Sequence, residues 1–194
     1  MDPINILFGI NLVATFGANI SGAAKGIKTA ITNVKEKPKT FLQKLPPNLS
    51  VVILILVIAS VFQLGTLDYS KYPELQTIRI AGLIMYVISS WFQIWAYRTM
   101  GDNYSNEIVI LKNHKLVKGG PFKLIRHPYY LGQIFADLGA VAALLSYTVL
   151  ILIIIEIPLL VMRSLFEDKL LMKHFKEEFT TYKKKTGLLI PFIG

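Results

Sequence analysis

Cysteine is absent from the chain, which excludes disulfide bonds, thiolate metal sites and cysteine nucleophiles, and we predict no metal site. Charged residues are scarce, at 17% of the sequence, where a soluble domain usually has about a quarter. A glycine-rich dinucleotide fingerprint is also missing, which argues against a nicotinamide-dependent reductase. Apolar residues instead make up 53% of the 194 residues. They gather into runs of about 20 residues, the length that crosses the hydrocarbon layer of a membrane.

These runs predict five membrane-spanning helices. The first three lie at about Ile4–Ala24, Val51–Leu67 and Ile78–Tyr97, and the third ends in aromatic residues typical of a headgroup boundary. A last run, Tyr129–Met162, is too long for one span at about 1.5 Å per residue. It predicts a helical hairpin with its tip at Ser146–Tyr147. The predicted fold is all-α, a polytopic membrane helix bundle of about five transmembrane helices.

Basic residues fall on one side of this arrangement. Of the 21 Lys and Arg residues, all except Lys71 and Arg79 lie between spans one and two, between spans three and four, or after span five. The positive-inside rule then places those segments in the cytoplasm, with the N-terminus outside and the C-terminus inside. A cleaved signal peptide is the alternative for the first span, but Met1-Asp2-Pro3 carries no positive charge. The net charge of +9 therefore indicates a membrane surface, and we expect no nucleic-acid partner.

The segment before the hairpin combines a glycine turn with a helix that begins at proline. Gly119-Gly120-Pro121 predicts a turn where the backbone can approach a ligand closely. Pro128 suits the first position of a helix, whose free N–H groups and positive dipole end would bind an anion such as a carboxylate. Alternatively, Arg126 and His127 are interfacial residues that extend to lipid headgroups. These residues alone leave the two interpretations open.

Three ionisable residues share one face of the last predicted span. Glu156, Arg163 and Glu167 each fall within about 20° of one helical face at this spacing. A carboxylate in hydrocarbon should face the bundle interior with a partner, and the same holds for Asp137 in span four. Arg163 and Glu167 are either an ordinary i,i+4 ion pair or a site in which Arg163 holds a substrate carboxylate by a two-pronged contact.

The chain divides into an N-terminal half of three spans, residues 1–97, and a C-terminal half, residues 98–194. The C-terminal half contains the loop before the hairpin, the hairpin itself at about residues 129–166, and a tail. Alternating charges around apolar residues from Lys169 to Lys185 predict an amphipathic helix at the membrane interface. The apolar stretch Leu188–Phe192 is expected to fold back against the bundle.

The C-terminal half contains a set of motif residues: His114, Leu116, Val117, Gly120, Phe122, Arg126, His127, Pro128, Tyr130, Gly132, Arg163, Glu167, Tyr182 and Pro191. With this set it resembles the isoprenylcysteine carboxyl methyltransferase family. The likeness covers about residues 98–194 and is that of a compact prokaryotic or archaeal member. The string R-H-P-x-Y-x-G also occurs in phospholipid N-methyltransferases and sterol reductases, so the upstream and downstream residues carry the distinction.

The resemblance implies an integral membrane enzyme that moves a methyl group from S-adenosylmethionine to the C-terminal carboxylate of a prenylated cysteine or a similar lipidic carboxylate. It implies an active site on the cytoplasmic side of the cell membrane in a prokaryote, or of the endoplasmic reticulum in a eukaryote. Arg163 and Glu167 would be catalytic, with Arg163 on the substrate carboxylate. Residues implied to contact the cofactor are His114, Leu116, Val117, Phe122, His127, Pro128, Tyr130 and Glu167.

Two other functions stay open from the sequence. A phospholipid N-methyltransferase would need a base, Glu167 or His127, because alkyl amines titrate near pH 10. Arg163 in its substrate site would repel the ammonium group, which favours a carboxylate acceptor. A non-catalytic membrane scaffold with a basic face predicts no cofactor binding.

Overall fold

A computed structural model describes residues 2–32 and 34–194, with the side chains of residues 2–20 and 34–194. Within these residues the long helices are α1 Pro3–Thr32, α2 Leu45–Val61, α3 Gln76–Met100, α4 Pro128–Leu144 and α5 Tyr147–Phe175. A short helix, α6, follows at Glu177–Lys183, and two short strands, β1 Val34–Glu36 and β2 Ile110–Leu111, pair antiparallel. The predicted polytopic helix bundle is confirmed. The strand pair was not predicted.

Four helical stretches of the described residues are apolar and long enough to cross a membrane. They are Pro3–Ile20 in α1, Phe41–Val61 with α2, Pro73–Asn103 with α3, and Tyr147–Phe175, which is α5. The fifth, α4, has 17 residues, the lower limit for a spanning helix. Large apolar side chains cover the outside of the bundle; Val13 and Ile154 are 74% and 67% exposed. Such an outer surface suits lipid rather than water.

Local residue chemistry explains where the hairpin helices begin and end. Pro128 occupies the first turn of α4, and Leu145 ends that helix in the left-handed conformation, with φ of 51°. Ser146 then caps α5 by accepting a hydrogen bond from the N–H of Val149 at 3.2 Å. The predicted hairpin tip is therefore confirmed.

Helices α3 and α4 make backbone-to-backbone contact through glycine. A Cβ atom added at Gly139 would lie 2.6 Å from the backbone nitrogen of Tyr86, and one added at Gly82 would lie 2.5 Å from that of Ala143. Small residues permit this approach inside a membrane, where close packing takes the place of the hydrophobic effect.

Polar contacts join the helices at the end of the bundle that carries Asp2. The Arg79 guanidinium, 1% exposed, donates to Asp2 at 2.5 Å, to Asn5 at 3.0 Å and to the carbonyl of Ala143 at 3.1 Å. Arg79 is one of the two basic residues that lie outside the predicted cytoplasmic segments. It serves as an internal cross-link between the helices.

Two acids meet in the middle of the bundle, as their cost in hydrocarbon requires. Glu156 accepts from the Ser50 hydroxyl at 2.6 Å, and Asp137 accepts from the Gln133 amide at 2.7 Å. Asp137 and Glu156 are 7% and 1% exposed, and their carboxyl groups interact electrostatically. Each acid thus faces the bundle interior with a polar partner, so the expected inward orientation is confirmed.

The other end of the bundle, here called the loop end, gathers residues 34–44, 101–127 and 176–194. Gln43 joins the first two segments by donating to the Ile108 carbonyl at 2.7 Å and accepting from its N–H at 2.9 Å. The basic residues of these segments lie at this end; Lys25 and Lys28 lie outside the residues whose side chains are described.

The tail differs in one respect from the prediction. Instead of one amphipathic helix over Lys169–Lys185, α5 continues to Phe175 and a separate α6 begins after Lys176. Lys176 adopts a positive φ of 47°, which breaks the helix. Beyond α6, the Gly187 N–H donates to the Leu124 carbonyl, and the carbonyls of Gly187 and Leu188 accept from the N–H groups of Arg126 and His127. The chain folds back at Gly187 and Leu188, whereas Ile190 and Phe192 are exposed.

Candidate active site

A cavity of about 570 Å³ lies between the loop-end halves of the helices and the loop segments. Ligand sites in proteins commonly have volumes of roughly 300–1,000 Å³. Every site residue predicted from the sequence contributes to its wall: His114, Leu116, Val117, Phe122, His127, Pro128, Tyr130, Arg163 and Glu167. The fold thus brings together residues from three separate parts of the chain.

The segment from β2 to Val117 is held in place by its own polar contacts. The Nδ1 atom of His114 accepts from the N–H of Leu111 at 3.3 Å, and the Asn103 side chain accepts from the N–H of Lys115 at 2.7 Å. Burial and the nearby ring of His174 lower the pKa of His114 to about 4. The ring is therefore neutral at physiological pH, and it adds no positive charge to this part of the cavity.

The glycine turn brings the next wall of the cavity close to α3. Gly120 has a φ of 54°, and a Cβ atom there would lie 3.0 Å from the hydroxyl of Thr99. A side chain would therefore be strained at this position. Phe122, two residues on, is buried, and its carbonyl accepts from the Tyr182 hydroxyl at 2.7 Å. The predicted turn is present and packs against α3; the approach of its backbone to a ligand stays a prediction.

The start of α4 is anchored to the tail through the backbone. The N–H groups of Arg126 and His127 donate to the carbonyls of Gly187 at 2.8 Å and Leu188 at 3.1 Å. The interpretation of Arg126 and His127 as interfacial residues that reach lipid headgroups is wrong, because their exposed fractions are 5% and 6%. Long-range backbone pairing, which hydropathy does not report, turns them inward.

Buried charges around His127 form a continuous network. Asp168 accepts from the Nε atom of Arg126 at 2.9 Å and faces Nε2 of His127 at 2.9 Å. On its other side, Nδ1 of His127 lies 3.4 Å from Glu167. Burial disfavours the protonated ring, but the bonds with Asp168 and Glu167 outweigh it and raise the pKa of His127 above its ordinary value.

The network ends at Arg163. The Tyr130 hydroxyl donates to Glu167 at 2.5 Å and accepts from the Nε atom of Arg163 at 2.7 Å. Arg163 and Glu167 are 3.3 Å apart, so the predicted i,i+4 pair exists, but it belongs to a larger cluster. The same guanidinium also donates to the backbone carbonyls of Leu42 at 3.1 Å and Asn106 at 2.8 Å.

These contacts limit how Arg163 can hold a ligand. A guanidinium has five N–H donors, and the protein contacts engage all three of its nitrogens. A bound carboxylate must therefore use the remaining N–H groups or displace a loop carbonyl. Because Arg163 is 4% exposed, its charge lies in a weakly screened environment and acts strongly on an anion in the cavity.

Several residues that shape the site were not found by sequence reasoning. Asp168 follows Glu167 directly but lies off the face shared by Glu156 and Arg163, so helical spacing gives no signal for it. Asn103 and Gln43 act through contacts with distant loops. Only the tertiary arrangement could reveal these roles.

Part of the chain matches a known protein family. Residues 82–173, just under half of the chain, match the model of the isoprenylcysteine carboxyl methyltransferase family. All of the predicted site residues, together with Asp168, fall inside the matched region, whereas Leu42 and the tail residues that contact Arg126 fall outside it.

Curated methyltransferases are similar to this chain over about two thirds of its length. The protein-S-isoprenylcysteine O-methyltransferase of Saccharomyces cerevisiae is 31% identical over 129 residues, covering 65% of this chain and 53% of the yeast protein. Its human counterpart is 28% identical over 134 residues, covering 66% of this chain and 47% of the human protein. The chain spans about half the length of the curated relatives it matches.

A solved structure has the same fold. It is described as a eukaryotic intramembrane Ras methyltransferase, isoprenylcysteine carboxyl methyltransferase, without a monobody. The match has a TM-score of 0.64 at 18% sequence identity and covers 100% of this chain and 69% of that one. At this identity the likeness establishes the fold of the bundle and not the chemistry of the site.

Proposed function

We propose that the protein is a membrane-embedded methyltransferase that uses S-adenosylmethionine to methylate the C-terminal carboxylate of a prenylated cysteine or a similar lipidic carboxylate. The observation that carries the proposal is the convergence, on one cavity, of a buried arginine and a loop that can receive a cofactor. This cavity also reaches the apolar middle of the bundle, where residues Leu54, Val57 and Ala140 line it.

The residues at the loop end of the cavity fit a sulfonium cofactor. When bound, S-adenosylmethionine supplies an electrophilic methyl group. His114, Leu116, Val117, Phe122, His127, Pro128, Tyr130 and Glu167 would hold it. His114 is neutral and therefore does not repel the sulfonium charge, the Glu167 carboxylate attracts it, and the first amides of α4 can receive the cofactor carboxylate.

Arg163 has the chemistry needed to position the acceptor. A C-terminal carboxylate has a pKa near 3.5 and is already an anion at neutral pH, so its methylation needs no general base. What the protein must supply is alignment of the acceptor oxygen and removal of water from it. Arg163 can do both, because its guanidinium is buried at the cavity wall and is oriented by Tyr130 and Glu167.

The apolar part of the cavity explains why the acceptor would be a lipid. Residues Leu12, Phe16, Val51 and Leu54 line it at the depth of the spanning helices. Each CH₂ group buried there contributes about 0.8 kcal/mol. A prenyl chain would therefore supply binding energy while its carboxylate stays near Arg163. In this scheme residues 98–194 form the methyltransferase region, and residues 1–97 complete the lipid-binding side.

We place the loop end of the bundle in the cytoplasm. Lys112, Lys115, Lys118 and Lys123 cluster there, as do the lysines of the tail, and the positive-inside rule assigns such segments to the cytoplasmic side. The membrane would be the cell membrane in a prokaryote or the endoplasmic reticulum in a eukaryote.

The site is less suited to methylating an amine. That reaction needs a base, but both ring nitrogens of His127 face carboxylates and its pKa is raised. Glu167 is engaged by Tyr130 and Arg163, and the Arg163 charge would repel an ammonium group. These contacts favour the carboxylate acceptor.

Methyl transfer from radiolabelled S-adenosylmethionine to a farnesylcysteine analogue, in detergent or in vesicles, tests the proposal. We expect label in a base-labile ester and calorimetric binding of S-adenosylhomocysteine. Label found only in phosphatidylethanolamine products would support the amine reaction instead. If the protein neither binds S-adenosylhomocysteine nor transfers methyl groups, both methyltransferase functions are rejected. The non-catalytic membrane scaffold would then be the function that remains.

A further inference from the structure

We propose that Asp168 is a positioning residue of this site: it holds His127 in the orientation from which the ring contacts Glu167, and it ties that ring to the C-terminal tail through Arg126. The proposal rests on the proposed function for the meaning of the site. Its structural part can be tested without any enzyme assay.

Asp168 acts from behind the cavity wall. Its side chain is 5% exposed, and it is not among the described residues that line the cavity. One carboxylate oxygen bonds Arg126 and the other bonds His127, both at 2.9 Å. Since both oxygens are engaged by protein groups, Asp168 can influence a ligand only through these two neighbours.

His127 passes this constraint to the acceptor-binding arginine. With Nε2 held by Asp168, Nδ1 of the ring faces Glu167. Glu167 in turn contacts the Tyr130 hydroxyl and the Nε atom of Arg163. Loss of Asp168 would remove the bond that fixes the orientation of the ring, so the contact between His127 and Glu167 would weaken.

Arg126 fixes the other side of Asp168. Besides its bond to Asp168, the guanidinium donates to the carbonyls of Thr186 at 2.5 Å and Gly194 at 3.0 Å. The Arg126 amide donates to the Gly187 carbonyl at 2.8 Å. Asp168 therefore sits between the docked tail and the His127 ring, and a carboxylate is needed there because both of its neighbours offer N–H groups.

The charge state of His127 reports this arrangement. The charged and titratable groups around the ring come from its own segment, from α5 and from α6: Arg126, Tyr130, Arg163, Glu167, Asp168 and Tyr182. A carboxylate at each nitrogen favours the doubly protonated ring. In Asp168→Asn the amide oxygen can still accept from Arg126, but the amide N–H₂ then faces Nε2 of His127, which must become an acceptor and lose its proton.

The experiment compares Asp168→Asn with the wild type in two independent measurements. The chain has 3 histidines, so the His127 ring signals can be assigned by NMR from their absence in His127→Gln. We expect the midpoint of the His127 titration to move to lower pH in Asp168→Asn. We also expect kcat to fall roughly 10- to 100-fold, as for loss of one hydrogen bond to a charged group.

Glu178→Gln is the matched control, because it makes the same carboxylate-to-amide change at an exposed residue bonded to Lys118 at 2.8 Å. It should change neither the titration nor the rate. The double variant His127→Gln/Asp168→Asn should be no slower than His127→Gln alone, since Asp168 acts through the ring. Asp168→Glu keeps the charge, so its His127 titration midpoint should stay above the ordinary histidine value. This variant takes the place of Asp168→Asn if Asp168→Asn does not fold.

An unchanged His127 titration in Asp168→Asn would overturn the proposal, even if the rate fell, because Asp168 would then be supporting the fold alone. Additive losses in the double variant would overturn it as well. Failure of the proposed function looks different. In that case the wild type would neither bind S-adenosylhomocysteine nor transfer methyl groups, while the titration of His127 would still respond to Asp168.

Discussion

Arg163 provides the most direct test of how the site handles its acceptor. In Arg163→Ala the cavity would lose its buried guanidinium while the His114–Val117 loop kept its own anchors, the Leu111–His114 and Asn103–Lys115 bonds. We therefore expect turnover to collapse while the affinity for S-adenosylhomocysteine stays nearly unchanged.

The expected size of the loss follows from the bonds that Arg163 can make. A two-pronged contact with a carboxylate consists of two charge-assisted hydrogen bonds, each worth about 1.5–3 kcal/mol. Their removal lowers kcat/KM by roughly 10²- to 10⁴-fold. The kcat/KM of Arg163→Lys should lie between those of the wild type and Arg163→Ala, because lysine keeps the charge but loses the planar pair of donors.

Radiolabelled transfer to a farnesylcysteine analogue measures the rate, and calorimetric titration measures cofactor affinity. Arg98→Ala is the control, since it removes the same charge from an exposed position near the end of α3. A parallel loss of turnover and S-adenosylhomocysteine binding in Arg163→Ala would refute the division of roles. Near-normal turnover would refute the assignment of Arg163 to the acceptor.

Three further predictions concern stability and are measured as unfolding in detergent. Because the pKa of His127 is raised in the folded protein, protonation of the ring stabilises the fold. This stabilisation is complete below about pH 6.5, the ordinary histidine pKa, and is lost as the pH rises through the folded-state pKa. His127→Gln should therefore flatten the decline of stability with pH, and an unchanged slope would contradict the prediction. Asp137→Asn should stay within about 1 kcal/mol of the wild type, because the amide still accepts from Gln133 and brings no charge beside Glu156. Asp137→Ala should cost roughly 1–3 kcal/mol, because it leaves the half-buried Gln133 amide without that acceptor; equal losses in the two variants would contradict this. Gly139→Val should cost about 1–3 kcal/mol or more through its clash with α3, while Gly17→Val, where a Cβ atom meets nothing within 4 Å, should be nearly neutral; similar effects at both positions would argue against the close helix contact.

Much of the bundle was predictable because its signals are local. Runs of apolar residues define α1, α2, α3 and α5, and the hairpin tip follows from the length of the last run. Pro128 marks the start of α4 for a reason that involves that residue and its neighbours alone. The spacing of Glu156, Arg163 and Glu167 likewise predicted a common inward face.

Other features depend on parts of the chain that are distant in sequence. Arg126 could not be recognised as buried, because the groups that bury it are Asp168 and the carbonyls of the tail. The end of α5 was misplaced, because charge alternation continues through Lys176 and gives no warning of its positive φ. Nor could the pairing of β1 with β2 be anticipated from strands this short.

By itself the sequence determined that this is a membrane helix bundle, where its hydrophobic spans lie and which face of the last span turns inward, because hydropathy and helical period are properties of neighbouring residues. Tertiary structure alone decided what those residues do to one another. The Arg163 guanidinium reaches the Leu42 and Asn106 carbonyls, and Asp168 links His127 to Arg126, through contacts between residues up to 121 positions apart. Such contacts exist only once the helices have packed, since packing alone sets the distances and the burial that give these charges their strength.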